Sequence, residues 1–333
     1  MNYQMRDCIT PKELEDVKQL LEKQGLRFED KVTLSIGFYD ENQLIATGSL
    51  YENVIKMIAI DSFYQGENLT ALVLTTLIQR LNAKGIEKYF LFTTQESKHY
   101  FVDFAFSLIY ENQKIVMFEN NINTIEEKLT KLKNDLALSH GTKAAIVMNC
   151  NPVTLGHLYL IETCAKSNDH VIIFLVEENK SVFSFETRMM LLKKATKHMT
   201  NVHILPSTEY IISSATFPTY FLKELNEVSL LFMELDISIF LHFFMRIFEI
   251  DYRYVGDEPL DPTTNAYNET MKQILKDQLI VINRLEKNSV TVSASLVRKL
   301  AKDHQYEVLK SYVPNVTYRY LKSSKGKAIF DEK

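Results

Sequence analysis

From Lys143 onward the chain alternates short apolar runs with helical segments, and this alternation limits its fold more than any other feature. Strand candidates are 144–148 (AAIVM), 170–176 (HVIIFLV), 201–205 (NVHIL), 252–255 (YRYV) and 279–285 (LIVINRL). Helix candidates fall at 156–167, 185–199, 216–247 in pieces and 266–277, with a last one from about 294. Apolar strands separated by helices predict a five-stranded parallel sheet covered on both faces. Ligands of such sheets bind beyond the carboxyl ends of the strands, so the loops after the strands are where chemistry is expected.

At 333 residues the chain exceeds one compact core, and two domains are expected, 1–140 and 141–333. The first part lacks the regular alternation. An amphipathic helix, PKELEDVKQLLEK, presents Leu14, Val17, Leu20 and Leu21 at helical spacing and stops near Gly25. VTLSIGFYD and QLIATGSLYE, joined through DENQ, predict a hairpin, and VIKMIAID leads through a loop into a long helix. KYFLFTT and KIVMFEN are later strands, and residues 123–143 form a polar connecting helix, giving a smaller α+β domain.

A net charge of -4 gives no electrostatic reason for nucleic acid as the main partner. Cys8, Cys150 and Cys164 form no CxxC pair, so neither a structural zinc site nor a disulfide framework is indicated, and a cytoplasmic location is expected. The N-terminus lacks the apolar core of a signal peptide. Segment 228–250 is strongly apolar, but Glu234, Asp236, His242, Arg246 and Glu249 interrupt it. It is therefore expected to form one or two buried or interface helices rather than a membrane span.

Four loops on one sheet edge hold the candidate residues. The first carries Asn149, Asn151 and Thr154, then Gly156 and His157 at the start of a helix. A helix N-terminus offers free N–H groups to phosphate, Gly156 allows close approach of a ligand, and His157 can donate to charge developing on a phosphoryl oxygen. A capped helix with a surface histidine is the plainer alternative. The second loop contributes Lys180 and Arg188, two cations able to hold a triphosphate or simply solvated. The loop after the fourth strand contributes Gly256 and Glu258, with Thr264 and Asn268 further on. After the fifth strand, Ser293 or Ser295 can cap the last helix, with Arg298 near its first turn.

NPVTLGH resembles the [HT]xGH signature of the nucleotidyltransferase superfamily, and VSASLVR resembles its later IS[AST]xxxR motif. MNCNPVTLGHLYLIETCA, VEENKSVFSFETR, YIISSATFPTYFLK and YVGDEPLDPTTNAYNETM narrow the likeness to the citrate lyase ligase family, across essentially the whole chain. That resemblance implies a Rossmann-like (HUP-type) catalytic domain preceded by a GNAT-like acyltransferase domain. YQGENLT departs from the GNAT pyrophosphate loop, with Asn68 where a second glycine is usual, which favours a role in holding the carrier arm over independent catalysis.

The resemblance also implies ATP with magnesium, acetate as substrate, and the acyl-carrier subunit of citrate lyase as partner. His157 and the stretch Thr154 to Gly156 would stabilise the α-phosphate, with Asn149 and Asn151 in the same loop. Lys180, Arg188, Ser295 and Arg298 would hold the outer phosphates beside Ser293, and the Gly256 to Glu258 loop would contact adenine and ribose. An adenylyltransferase acting on a phosphorylated cofactor precursor, and a non-catalytic nucleotide or acyl-CoA sensor, are the alternatives.

Overall fold

A computed structural model describes residues 3–101, 104–177, 181–211, 225–257, 262–287 and 290–331. Two compact units divide the chain: Met1–Lys128 with Ile212–Leu235, and Leu129–Ile211 with Asp236–Lys333.

The first unit holds β1 (Gln4–Asp7), α1 (Pro11–Lys23), β2 (Leu34–Asp40), β3 (Gln43–Tyr51), β4 (Val54–Ile60), α2 (Leu69–Ala83), β5 (Phe90–Thr93), β6 (Phe106–Glu111) and β7 (Val116–Asn120). The strands form one mixed sheet in the order β1-β2-β3-β4-β5-β7-β6. The hairpin expected at DENQ joins β2 to β3, and Glu41 takes a left-handed φ of 52° in its turn. Thr10 and Glu13 form a reciprocal capping box, with Pro at N1/N2, that starts α1. β4 and β5 run parallel but pair only at Val54–Phe90 and Ile55–Leu91. Beyond that point lies a cleft of about 1220 Å³ lined by Ile60, Tyr64, Asn68, Thr93, His99 and Tyr100, among others.

Helix α3 (Ile125–Leu136) crosses from the first unit's range into the second. The second unit then alternates β8 (Lys143–Met148), α4 (Leu155–Ser167), β9 (His170–Leu175), α5 (Phe185–Ala195) and β10 (Val202–Pro206). Helix α6 (Leu225–Ile239) runs through a π-helical turn, Phe240–Met245, into α7 (Arg246–Phe248). There follow β11 (Tyr252–Gly256), α8 (Pro262–Leu275), β12 (Leu279–Ile282), the short antiparallel pair β13 (Glu286–Lys287) and β14 (Val290–Thr291), and helices α9 (Ala294–Lys302), α10 (Tyr306–Leu309), α11 (Asn315–Lys322) and α12 (Ser324–Asp331).

All five expected strands form the parallel sheet, in the order β10-β9-β8-β11-β12. One face is covered by α4 and α5 through Leu158, Ile161, Cys164, Leu191 and Leu192, packed on Ile146, Ile173 and Tyr254. The apolar segment after residue 239 covers the other face. Phe240, Phe244 and Phe248, four residues apart and so on one side of a helix, all meet Phe174 of β9, at centroid distances of 6.0, 5.1 and 5.3 Å. Burying each such ring contributes about 2 kcal/mol, which explains the unusual apolarity. Charges that interrupt the segment have partners: Asp236 accepts from Tyr267, and Glu249 pairs with Lys133 at 2.8 Å and Lys143 at 2.9 Å. No described helix is long and apolar enough to cross a membrane.

The chain winds one way from β8 to β10 and the other way through β11 and β12, so the switch point lies at β8 and β11. Those two strands pair only at Ala144–Tyr252 and Ala145–Arg253, although each runs three residues further. They part toward their carboxyl ends and open the crevice from which the first and fourth loops emerge.

Candidate active site

Thr154 is the N-cap of α4 and is almost fully buried. Its hydroxyl accepts the N–H of His157 at 3.3 Å, while its own backbone N–H donates to His157 Nδ1 at 3.0 Å. This is a capping box with histidine in the position usually held by Glu or Gln. A backbone N–H can only donate, so Nδ1 is the acceptor and the proton of the neutral ring is on Nε2. Burial, with the positive charge of Arg284 adding to it, lowers the His157 pKa from 6.5 to about 4. At neutral pH the imidazole is therefore an uncharged Nε2–H donor, the form suited to a phosphoryl oxygen that must not take its proton.

The other early amides of α4 divide in an informative way. Leu155 donates to the carbonyl of Tyr312 at 2.9 Å and Leu158 to that of Thr154 at 3.2 Å. Among the described residues nothing accepts from Gly156 N–H, which leaves it beside His157 Nε2–H as a donor for a ligand. The close approach made possible by Gly156 is to protein: a Cβ there would stand 2.8 Å from the carbonyl oxygen of Val292. The missing Cβ is thus accounted for by packing against Val292, while the Gly156 N–H remains the group open to a ligand. Val292 directly precedes Ser293, the N-cap of α9, whose hydroxyl accepts Leu296 N–H at 3.2 Å. Of the two serines weighed for that cap, Ser293 takes it. Two helix N-termini thus abut, and their partial positive ends reinforce each other.

Arg298 of α9 joins them. Its Nη1 donates to the carbonyl of Asn151 at 2.6 Å and its Nη2 to the exposed hydroxyl of Ser295 at 3.0 Å. Asn151 Oδ1 accepts Phe183 N–H at 3.1 Å, and Asn149 Oδ1 accepts Ser181 Oγ at 3.1 Å and Arg188 Nη1 at 2.8 Å. Both asparagines spend their carbonyl oxygens on shaping the loops, and Cys150 between them takes a left-handed φ of 52°.

Arg188 departs from its expected role. It is fully buried in α5 and donates to the carbonyls of Asn149 at 2.9 Å, Val176 at 2.6 Å and Phe183 at 3.1 Å. In place of a phosphate contact, its guanidinium ties together the loops after β8 and β9. A loop cation and a buried strut look alike in sequence, and only the position within α5 separates them.

Arg284, at the end of the fifth strand region, escaped the sequence reading. Its backbone N–H donates to Asp257 Oδ1 and its Nε to the Asp257 carbonyl, both at 2.7 Å. This clasp joins the fourth and fifth loops and holds a cation near His157. The signal was available: Arg284 follows a strand on the same sheet edge as the other candidates. Gly256 closes β11, and its carbonyl accepts from buried Asn268 at 3.2 Å. Lys180 and Glu258 lie outside the described residues, as does most of EYIISSATFPTYFLK.

Thr154, Gly156, His157, Ser293, Ser295 and Arg298 are thus brought to one place, with Arg284 added and Arg188 supporting from behind. Helix N-termini, a neutral imidazole N–H and two arginines form a donor-rich, cationic arrangement whose chemistry suits a polyanion. The carboxylate of Asp257 is engaged by Arg284, and no cluster of three metal-ligating side chains occurs among the described residues.

Residues 143–321 match the family model described as the citrate lyase ligase C-terminal domain. Citrate (pro-3S)-lyase ligase of Klebsiella pneumoniae is 34% identical over 92% of this chain and 92% of its own. The corresponding ligase of Escherichia coli K12 is 32% identical over 94% and 91%. Among solved structures, an acyl-CoA N-acyltransferase from Pseudomonas aeruginosa is similar over 36% of this chain and 98% of its own, at 16% identity and a TM-score of 0.29. A crevice at the switch point, a histidine-capped helix and full-length similarity at this level lead to one statement: the chain belongs to the citrate lyase ligase family.

Proposed function

We propose that this enzyme uses ATP to acetylate the thiol of the prosthetic group on the acyl-carrier subunit of citrate lyase. A carboxylate oxygen of acetate attacks the α-phosphorus, and the bond to the pyrophosphate oxygen breaks, giving acetyl-adenylate and pyrophosphate. The carrier thiol, losing its proton to solvent, attacks the acetyl carbonyl carbon, and the carbon–oxygen bond to AMP breaks. The observation that carries this reading is the Thr154–His157 capping box, which fixes a neutral Nε2–H beside the Gly156 amide.

In phosphoryl-type chemistry a protein mainly positions groups and balances charge. His157 Nε2–H and Gly156 N–H donate to α-phosphate oxygens as charge shifts onto the leaving group. Arg298, Ser295 and Arg284 hold the outer phosphates, with Lys180 as a further cation. Asn149, Asn151 and Arg188 keep the loops in register, and the Gly256 to Glu258 loop meets adenine and ribose. Magnesium would arrive with the triphosphate, held by phosphate oxygens, and would neutralise charge on them. The basic donor set fits such an ion carried by its nucleotide rather than resident in a carboxylate cage.

The domain division at about residue 140 belongs to the same reading. The N-terminal part positions the carrier arm. Its cleft beyond the β4–β5 pairing opens at α2, which starts at Asn68 with no side-chain cap. Adenylyl transfer to a phosphorylated precursor would leave that unit without a role.

The test is to incubate the enzyme with ATP, acetate and the thiol-form carrier, omitting each in turn. AMP release that needs both acetate and thiol is expected. AMP transfer onto a phosphorylated acceptor without acetate would overturn the reading.

A further inference from the structure

Residues 294–331 carry eight Lys and Arg against three Asp and Glu, in a chain whose net charge is -4. The site described above uses only Arg298 of these cations, and the other seven are exposed.

Several of them are held in place. The ammonium groups of Lys310 and Lys322 lie 5.8 and 5.3 Å from the centroid of the Tyr318 ring, and that of Lys327 lies 5.8 Å from Tyr306. Lys287 donates to the carbonyl of Ser311 at 2.9 Å. Glu307 is the carboxylate that joins this cluster, 4.0 Å from Lys322 and accepting the Tyr318 hydroxyl at 3.2 Å. It is 83% exposed and offsets little of the charge.

Beneath the patch, Val297, Leu300, Leu309, Val313 and Leu321 form an apolar core that needs none of these lysines. Like charges gathered this closely repel one another, so their benefit is to be sought in a partner. The patch also adjoins the reaction centre. Tyr312 accepts the Leu155 N–H, and Lys310 and His157 each lie two residues from that bond. The reach of the chain keeps their Cα atoms within about 22 Å.

We propose that this basic face, centred on Lys310, Lys322 and Lys327, docks an acidic surface of the thiol-bearing carrier and so delivers its arm to the start of α4. The proposal rests on the acetyl-transfer reading given above. Nucleic acid fits less well, because the chain as a whole carries a net charge of -4.

The test uses the full-length triple variant K310E/K322E/K327E. Two rates are measured: acetylation of the thiol-form carrier, and acetate-dependent exchange of labelled pyrophosphate into ATP without carrier. Exchange should match wild type, which also shows that the variant is folded, while the KM for carrier rises at least about tenfold. Raising salt from about 0.05 to 0.3 M should weaken carrier use by wild type and barely alter the variant. A variant with wild-type carrier KM and salt response would overturn the proposal. So would a variant that loses only binding to a duplex oligonucleotide or to anionic vesicles. A wild-type enzyme lacking exchange would instead refute acetyl-adenylate formation, and the proposal with it.

Discussion

Replacing Gly156 by alanine probes the contact that brings two helix N-termini together. The new Cβ would stand 2.8 Å from the Val292 carbonyl oxygen, where ordinary contact begins at 3.4 Å, so the backbones must separate by about 0.6 Å. Val292 is not free to yield, since its N–H is bonded to Leu285 O at 3.0 Å and its side chain is buried. The start of α4 must move instead, and Thr154 and His157 move with it. Overpacking costs about 1–3 kcal/mol, and the helix preference of alanine over glycine returns about 0.5–1 kcal/mol. The net loss is therefore at most about 2.5 kcal/mol, a fall in Tm of several degrees. Activity should suffer more, because a misplacement approaching 1 Å at a reacting centre can cost about 100-fold. Acetate-dependent pyrophosphate exchange should drop about 10- to 100-fold. Gly256→Ala is the control, since its Cβ would meet only Arg284 Cγ at 4.0 Å and should leave Tm unchanged. Exchange within twofold of wild type in Gly156→Ala would refute the idea that the abutting helix ends form the phosphate site.

Further outcomes follow from the same geometry. Arg188→Met leaves the carbonyls of Asn149, Val176 and Phe183 without their donor, and urea unfolding should show a loss of about 3 kcal/mol or more, with exchange lost as the loops separate. With acetate ion kept saturating at every pH, the exchange rate should hold from neutral pH down to about pH 5 and fall by half near 4, where His157 takes a proton. Arg284→Gln removes a nearby positive charge, eases that protonation and should move the acid limb upward, toward 6.5. Because the folded pKa lies below the unfolded one, unfolded chains bind the proton first. His157 therefore destabilises the fold as pH falls from about 6.5 to about 4. An alanine at 157 should flatten that part of the stability profile.

The parallel sheet was legible because its strands, buried on both faces, read as continuous apolar runs, and all five were located to within a few residues. β1 and β6 were not, since QMRD and FSLIYE show neither a clean alternation nor a buried run, and β1 is a partly exposed edge. The helix expected from about 294 breaks into four short ones, with Asp303 capping α9 and Pro314 preceding α11. Within the site, a local role was readable: Ser293, one of the two serines expected to cap the last helix, caps the helix it precedes. Roles set by distant partners were not. Arg188 is defined by carbonyls in two other loops, and Arg284 by Asp257, 27 residues earlier in sequence. Gly156 was singled out for close approach of a ligand, whereas the neighbour that its missing Cβ admits is Val292, from the far end of the domain.

The most direct measurement of the chemistry is acetate-dependent exchange of labelled pyrophosphate into ATP by His157→Ala, in the absence of carrier. Loss of the ring removes one partner of the α4 cap, about 1 kcal/mol, so the variant should remain folded with a small fall in Tm. Exchange should fall at least about 100-fold, as expected when a donor to developing charge is removed. A folded His157→Ala enzyme exchanging within a few-fold of wild type would contradict the role assigned to the imidazole at the α-phosphate.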